Sequence, residues 1–322
     1  MITGITGQDG SYLTEVLLEK GYLVHGLVRR SSNTVRSRLD HLTSNEAVYN
    51  KSLFLHYGEL DDVTTIRRLM QKIQPTEVYH LAGQSHVGAS FEIPESTCEF
   101  TAMGTLRLLE IIRDCDPIPK FLHTGSSEIF GDPADFPQNE NTPMWPKTPY
   151  GVAKAFATQM VRVYRENFKV FACNAICYNH ESPRRGESFV TRKITRSAAR
   201  IKAGRQHGLA MGNIDGQRDW GFSPDYVRGF QAMLQHDTPR DFVFATGKLH
   251  RVSDWLEIAF QHVGLNWRDH VEFENRFARS VDPVSLVGDA ATAKKELGWQ
   301  PEMTFENMVR LMVEADCRRE AG

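Results

Sequence analysis

A chain of 322 residues with 24% charged side chains and a formal net charge of -2 has no basic surplus to draw nucleic acid, so an anionic ligand must be met by cations placed locally. Its 41% hydrophobic content suits an α/β core with a smaller lobe appended, and no stretch approaches the ~20 uninterrupted apolar residues of a membrane span. The five cysteines, Cys98, Cys115, Cys173, Cys177 and Cys317, form no CxxC pair, which argues against a disulfide framework or a metal site and, with no signal-peptide pattern at the N-terminus, for a reducing, cytoplasmic setting.

In chain order, Met1 to Thr3 predicts a short strand, followed at once by "GITGQDG" and a helix in "SYLTEVLLEKG". Gly4, Gly7 and Gly10 stand three apart between strand and helix, where glycines permit a tight turn and close backbone approach, and a helix N-terminus offers N–H groups to a pyrophosphate. The turn residues Gly4, Ile5, Thr6, Gly7, Gln8, Asp9 and Gly10 are therefore candidates for dinucleotide contact. The second strand, "YLVHGLV", ends without the acidic residue that would accept from a ribose 2′-hydroxyl; Arg29, Arg30, Ser31 and Ser32 suit a 2′-phosphate instead, favouring NADP over NAD. "LFLHYGE" predicts a third strand, ending at Glu59 and Leu60, where a carboxylate can accept from the adenine amino group. A helix in "TTIRRLMQKIQ" and a fourth strand in "EVYHLAG" follow.

The fifth strand, in "KFLHTG", runs into Ser126, Ser127 and Glu128, and a carboxylate at a buried strand's end is costly unless it is paired or used. Tyr150 and Lys154 in "YGVAK" lie four apart at a helix start and share a face; an ammonium beside a phenol lowers the phenol's pKa and fits it for proton exchange with an alcohol. "VFACNAICY" predicts another strand. From Asn179 the pattern becomes mixed, with a loop "HESPRRGESF", a helix from about Val190, a strand in "FVFATG", and helices in "SDWLEIAFQHVG" and "TFENMVRLMVEADCRR". Strands alternating with helices predict a Rossmann-type, doubly wound parallel sheet with ligands at the strands' carboxyl ends. The division expected is 1–178 for the nucleotide domain, with returns near 215–247, and 179–322 mainly for a smaller substrate-binding lobe.

Gly4, Gly7, Gly10, Ser126, Tyr150 and Lys154 together resemble the extended short-chain dehydrogenase/reductase family. Within it, "GITGQDGSYL", "VRRSS", "AGQSHV", "GTLRLLE", "SSEIFG", "TPYGVAK", "NHESPRRG", "FVTRKI" and "RDWG" look like the GDP-mannose 4,6-dehydratases. The resemblance implies GDP-mannose as substrate and NADP as cofactor. Tyr150 would deprotonate the sugar's 4-hydroxyl, Lys154 hold the nicotinamide ribose, Glu128 act as base at C5 and then as acid toward the departing 6-hydroxyl, and the Ser126 hydroxyl bond the reacting oxygen. It further implies cofactor contacts from Leu81, Ala82, Gly83, Gln84, Ser85, His180 and Arg185. Substrate contacts are implied for Ser85, Asn179, Val190, Lys193, Arg218, Arg279 and Asp282.

Three positions depart from the family pattern: Ser126 stands for threonine, Ser96 for a tyrosine near the cofactor, and Asp282 for glutamate. The basic stretch Arg29 to Arg38 would reach a neighbouring subunit's cofactor, implying a homotetramer built as a dimer of dimers. The alternative enzyme is another extended-family member acting on a nucleoside-diphosphate hexose, a 4-epimerase or 4-ketosugar reductase; a nucleotide sensor without turnover is the non-enzymatic one.

Overall fold

The computed structural model describes residues 1–29, 37–274 and 286–321. The strands, in chain order, are β1 (Ile2–Thr3), β2 (Val24–Val28), β3 (Leu53–Tyr57), β4 (Glu77–His80), β5 (Lys120–Ser126), β6 (Ala172–Cys177), β7 (Asn179–Glu181), β8 (Leu209–Met211), β9 (Gln217–Phe222), β10 (Phe242–Phe244), β11 (Leu249–Arg251) and β12 (Val271–Phe273). The helices are α1 (Gln8–Glu19), α2 (Asp40–Thr43), α3 (Val63–Ile73), α4 (Pro94–Cys98), α5 (Gly104–Arg113), α6 (Pro149–Asn167), α7 (Val190–Lys202), α8 (Ser223–Gln235), α9 (Val252–His262), α10 (Ala291–Leu297) and α11 (Phe305–Ala321).

Seven strands form one sheet in the order β10-β6-β5-β4-β1-β2-β3, and every neighbouring pair in it is parallel. Residues on these strands are largely apolar on both faces because helices cover both. Leu13 and Leu17 of α1 pack with Tyr226 and Phe230 of α8 on one side, while Ile66 of α3, Leu108 of α5 and Val161 of α6 pack on the other. Strand order reverses between β1 and β4, and a crevice opens there beyond the strands' carboxyl ends.

Local sequence explains the helix that flanks this crevice. Thr148 caps α6 by accepting from the Gly151 N–H at 2.9 Å, and Pro149 fills the first turn. Ala153, Ala157, Val161 and Tyr164 repeat at helical spacing on its buried stripe, and Lys154 lies on that stripe with them. A second lobe is built from the sheet β11-β9-β7, the pair β12-β8, and α7, α9 and α11 around Trp220, Trp255, Phe305 and Met312. The chain then returns to the main sheet, since α8 packs on α1 and β10 pairs with β6.

The stretch expected to be a loop from His180 is in part strand: β7 pairs in parallel with β9, placing Asn179 opposite Trp220. That partner lies some forty residues on, so local composition carries no trace of it.

The buried carboxylate of Asp241 fastens α6 to the sheet. It accepts from Arg162 Nε at 2.6 Å, Arg165 at 2.8 Å and the Asn174 side chain at 2.9 Å. Burial alone would raise its pKa, but Arg165 and Arg162 outweigh burial and hold it below the usual carboxylate range. A carboxylate with a lowered folded pKa contributes stability above its unfolded value of about 3.9, and the contribution is lost as pH falls through the folded value. Asp241→Asn is expected to lower the unfolding free energy at neutral pH by about 3 kcal/mol, since it leaves two guanidinium groups without their counter-charge. Urea titrations of the variant and wild type check this, and equal midpoints would contradict it.

Candidate active site

A cleft of about 1220 Å³ lies at the switch point, bounded by the Gly4–Gly10 turn at one end and by the start of α7 and strand β9 at the other. Gly4 has φ +75, and a Cβ there would meet the Leu81 carbonyl carbon and the Ala82 nitrogen at 2.8 Å. A Cβ on Gly10 would lie 2.3 Å from the Gly4 oxygen, so both positions require glycine. Gly7 caps α1 without any side-chain hydrogen bond. Thr6, Gln8 and Asp9 line the cleft with these glycines, whereas the Ile5 side chain is buried in the core against Gly26.

Arg29, Glu59, Leu60 and the run Leu81, Ala82, Gly83, Gln84 and Ser85 line the cleft from the carboxyl ends of β2, β3 and β4, and Ser96 lines it as well. Arg30, Ser31, Ser32, Arg279 and Asp282 lie outside the described residues.

Ser126, Glu128, Tyr150 and Lys154 come together in the middle of the cleft. Ser126 ends β5, and its hydroxyl accepts from the Glu128 N–H at 3.3 Å and bonds the Tyr150 phenol. Glu128 itself sits one step past the strand, in the single turn Ser127–Ile129. Ser126, Tyr150 and Lys154 are 9%, 7% and 6% exposed.

Burial raises the Tyr150 pKa well above that of a free phenol; the Ser126 hydrogen bond opposes the rise and the nearby Glu128 adds to it. This corrects the expectation that Lys154 would lower it. Lys154 Nζ instead donates to the Thr124 carbonyl at 2.6 Å, and burial pushes its own pKa down to about 8. Sequence spacing gives the shared helix face but not the main-chain acceptor beneath it.

Asn179, His180, Arg185, Val190, Lys193 and Arg218 line the opposite wall. Lys193 Nζ donates to the Ala210 carbonyl at 2.5 Å and Arg218 to the Gln217 carbonyl at 2.6 Å. Arg185 pairs with Glu181 at 3.0 Å and stacks 3.6 Å from the Phe189 ring centre. His180 has only acceptors at its two nitrogens, the Tyr178 carbonyl at 2.7 Å and Asp9 Oδ2 at 2.9 Å, so both nitrogens carry protons and the ring is an imidazolium. The Tyr226 ring stacks on it at 4.5 Å. Burial opposes this charge, but Asp9 outweighs burial and the His180 pKa is raised.

The cleft also holds residues that sequence reasoning did not assign to it, among them Arg38, Asn213 and Trp220. Asn213 belongs to "MGNIDG", a Gly/Asn/Asp cluster whose turn signal was available; Arg38 closes the basic stretch expected to reach a neighbouring subunit's cofactor and Trp220 lies in "RDWG", but neither signal assigned the residue to this chain's own cleft. Among the described residues no three His, Cys, Asp or Glu side chains are grouped to hold a metal, and no helix is long and apolar enough to cross a membrane.

Comparison with known proteins gives consistent relatives. Residues 1–312 match the family model described as GDP-mannose 4,6 dehydratase. GDP-mannose 4,6 dehydratase 1 of Arabidopsis thaliana is 51% identical over 321 residues, covering 98% of this chain and 89% of the relative. The human GDP-mannose 4,6 dehydratase is 44% identical over 336 residues, covering 98% and 90%. Among solved structures, the dTDP-glucose 4,6-dehydratase DesIV of Streptomyces venezuelae, solved with NAD bound, superposes with a TM-score of 0.86 at 20% identity over 99% of this chain and 97% of its own. RMD from Pseudomonas aeruginosa, solved with NADPH, gives 0.81 at 22% identity over 99% and 98%. At such identities these two structures establish the fold.

The ionised His180–Asp9 pair has a pH signature. A histidine with a raised folded pKa contributes stability in full below its unfolded value of about 6.5, and the contribution disappears as pH rises through the folded value. Urea denaturation from pH 6 to pH 9 is therefore expected to show His180→Gln markedly less stable than wild type at the acid end, with the gap narrowing as pH rises. A gap that does not change with pH would mean that the ring is neutral.

Proposed function

The chain belongs to the GDP-mannose 4,6-dehydratase family, whose members are hydro-lyases, and from that premise we propose that it removes water from GDP-mannose to give GDP-4-keto-6-deoxymannose with NADP held in the cleft. The observation that carries the reading is the convergence of Ser126, Glu128, Tyr150 and Lys154 beside a glycine turn that no other residue type fits. That turn suits a dinucleotide: its glycines leave room for a pyrophosphate against the start of α1. Arg29, at the end of a strand with no acidic residue there, favours the 2′-phosphate form. NADP held by that turn and Arg29 would supply a reversible two-electron step between C4 and C6 of the sugar, so no external reductant would be consumed.

The remaining chemistry is the chain's own. Tyr150 accepts the proton of the sugar 4-hydroxyl. Because burial keeps the phenol protonated in the ligand-free protein, the Ser126 hydroxyl bonded to it is the group that favours the phenolate, and the two act as one unit. The C4 ketone acidifies the neighbouring C5–H bond. Glu128 takes that proton and delivers it to the 6-hydroxyl, which departs as water and leaves a C5–C6 double bond for the returning hydride and a solvent-exchangeable proton to saturate.

Lys154 holds the nicotinamide ribose, and Lys193 and Arg218 meet the diphosphate. Asn179, Val190 and Ser85 line the sugar's side, and Arg279 and Asp282 serve the guanosine ribose. The lobe beyond residue 178 is the substrate-binding half, and the working assembly is a homotetramer in a cytoplasmic setting.

Incubation with GDP-mannose and NADP, read by mass spectrometry, is expected to give a product one water lighter. An isomer of unchanged mass would indicate an epimerase, and unchanged GDP-mannose together with bound NADP a sensor. Glu128→Gln is expected to slow water loss by about a hundredfold to ten-thousandfold and to slow C5 exchange with deuterated water alongside, while GDP-mannose still binds. Near-normal elimination by that variant would make Glu128 structural. Tyr150→Phe is expected to abolish oxidation at C4, which would appear as loss of the ketone product.

A further inference from the structure

The charges of Arg184, Arg185 and Arg319 bear on a fourth guanidinium, Arg38, and each of those three has a carboxylate partner. Arg184 pairs with Glu15 at 2.5 Å, Arg185 with Glu181 at 3.0 Å and Arg319 with Asp316 at 3.2 Å. The fourth, Arg38, lines the cleft and has none among the described residues; its guanidinium donates to the Arg184 carbonyl at 2.7 Å and to the Thr6 carbonyl at 3.1 Å. Asp9 is the carboxylate whose field acts on it, but the Asp9 oxygens are committed to His180, to Ser223 at 2.7 Å and to Gln8 at 3.2 Å. A partly buried cation ringed by like charges is costly unless an anion arrives to compensate it.

Resting on the reading of this cleft as a dinucleotide site, we propose that Arg38 is an anion-binding residue whose ligand is the pyrophosphate bridge of the chain's own cofactor. Placement selects the pyrophosphate over the 2′-phosphate, because Thr6, whose carbonyl Arg38 holds, is part of the Gly4–Gly10 turn, whereas Arg29 stands at the end of β2. The same placement separates it from the substrate's diphosphate, whose cations Lys193 and Arg218 lie across the cleft on α7 and β9. Two fixed N–H bonds to main-chain carbonyls aim the guanidinium and reduce the ordering that ligand binding would otherwise cost. They also make Arg38 a brace between the glycine turn and the loop of Arg184, so the test must separate charge from bracing.

Affinities of purified Arg38→Ala, Arg38→Gln and Arg38→Lys proteins for NADP, NAD and GDP are measured by calorimetry, with the exposed Arg310→Ala as control. Losing a charge-assisted bond to a phosphate is expected to weaken NADP and NAD by the same factor, on the order of tenfold to a hundredfold, in the Ala and Gln variants. Lysine is expected to retain part of the affinity, GDP binding to stay within twofold of wild type, and the control to bind normally. Raising KCl is expected to weaken NADP binding more steeply in wild type than in Arg38→Gln.

Glutamine keeps a donor for one carbonyl and drops the charge, so a Gln variant that binds like wild type would make Arg38 a brace and overturn the proposal. Loss of NADP affinity with NAD untouched would reassign it to the 2′-phosphate, and loss of GDP affinity alone to the substrate; either overturns it. If wild type binds no dinucleotide, both this proposal and the reading of the cleft fall. If wild type binds NADP but leaves GDP-mannose unchanged, only the dehydratase reading falls. A melting curve for each variant checks folding, and should the Ala and Gln proteins not fold, the charge-keeping Lys variant decides, since affinity unchanged from wild type to within twofold, or lost as completely as a missing site, contradicts a guanidinium ligand.

Discussion

The Asp9 carboxylate is the point on which the cleft depends, because three parts of the chain that are distant in sequence meet there. It sits in the first turn of α1, receives an N–H of His180 from β7, and receives the Ser223 hydroxyl from the start of α8. His180 first, and then the Ser223 hydroxyl and the Arg185 guanidinium, hold its pKa down to about 2 in spite of burial. Next to it, Gln8 donates to the His180 carbonyl at 3.0 Å and accepts from Ser182 at 2.8 Å, so the same turn is tied twice to the second lobe. The cleft has two walls only while this junction holds, since its glycine-turn end belongs to the main sheet and its far wall to β7, α7 and β9.

The wall that carries Tyr150 and Lys154 is fixed differently, by polar groups buried within the main sheet. His80 bonds Thr3 at 2.7 Å and Thr105 at 3.1 Å, and His123 bonds Asn174 at 3.0 Å, whose side chain in turn reaches Asp241. Burial, and then the ammonium of Lys154, push both histidines' pKa values down, so they are neutral and act as hydrogen-bonding struts. The arrangement explains how an ammonium can be kept at the cleft floor: His80 and His123 beside it in the sheet are neutral, and the Thr124 carbonyl accepts one of its N–H bonds.

The sequence was most legible where function and local geometry coincide. Gly4, Gly7 and Gly10 announce a turn because each constraint acts over a few residues, and the Tyr150–Lys154 pair announces a helix face because period 3.6 is a local property. The main sheet follows from the same kind of pattern. What remained hidden depends on pairing across sequence: β7 with β9, β8 with β12, the Asp9–His180 ion pair 171 residues apart, and the turn of Arg38 back onto Thr6. The pKa of Tyr150 lies beyond local pattern for the same reason, since burial and the Thr124 carbonyl are products of packing, which spacing alone does not encode.

Glu128 is not left in the strand's hydrogen-bonding ladder; it lies in a tight turn whose N–H is taken by Ser126, so the side chain leaves the sheet at the floor of the cleft. What lets it meet Tyr150 is the residue between Tyr150 and Val152. A Cβ on Gly151 would lie 2.6 Å from the Glu128 carbonyl oxygen and 3.1 Å from the Thr148 hydroxyl that caps the helix. Any larger residue there would force α6 away from the turn or break its cap, separating the phenol and the carboxylate without altering either. Gly151 has an ordinary helical role and ordinarily costs about 1 kcal/mol relative to alanine, so its presence one position after the tyrosine reflects close approach of two backbones. Ser126 serves the same approach from the other side: its hydroxyl bridges the Glu128 N–H and the Tyr150 phenol, joining the strand end to the helix start through one oxygen.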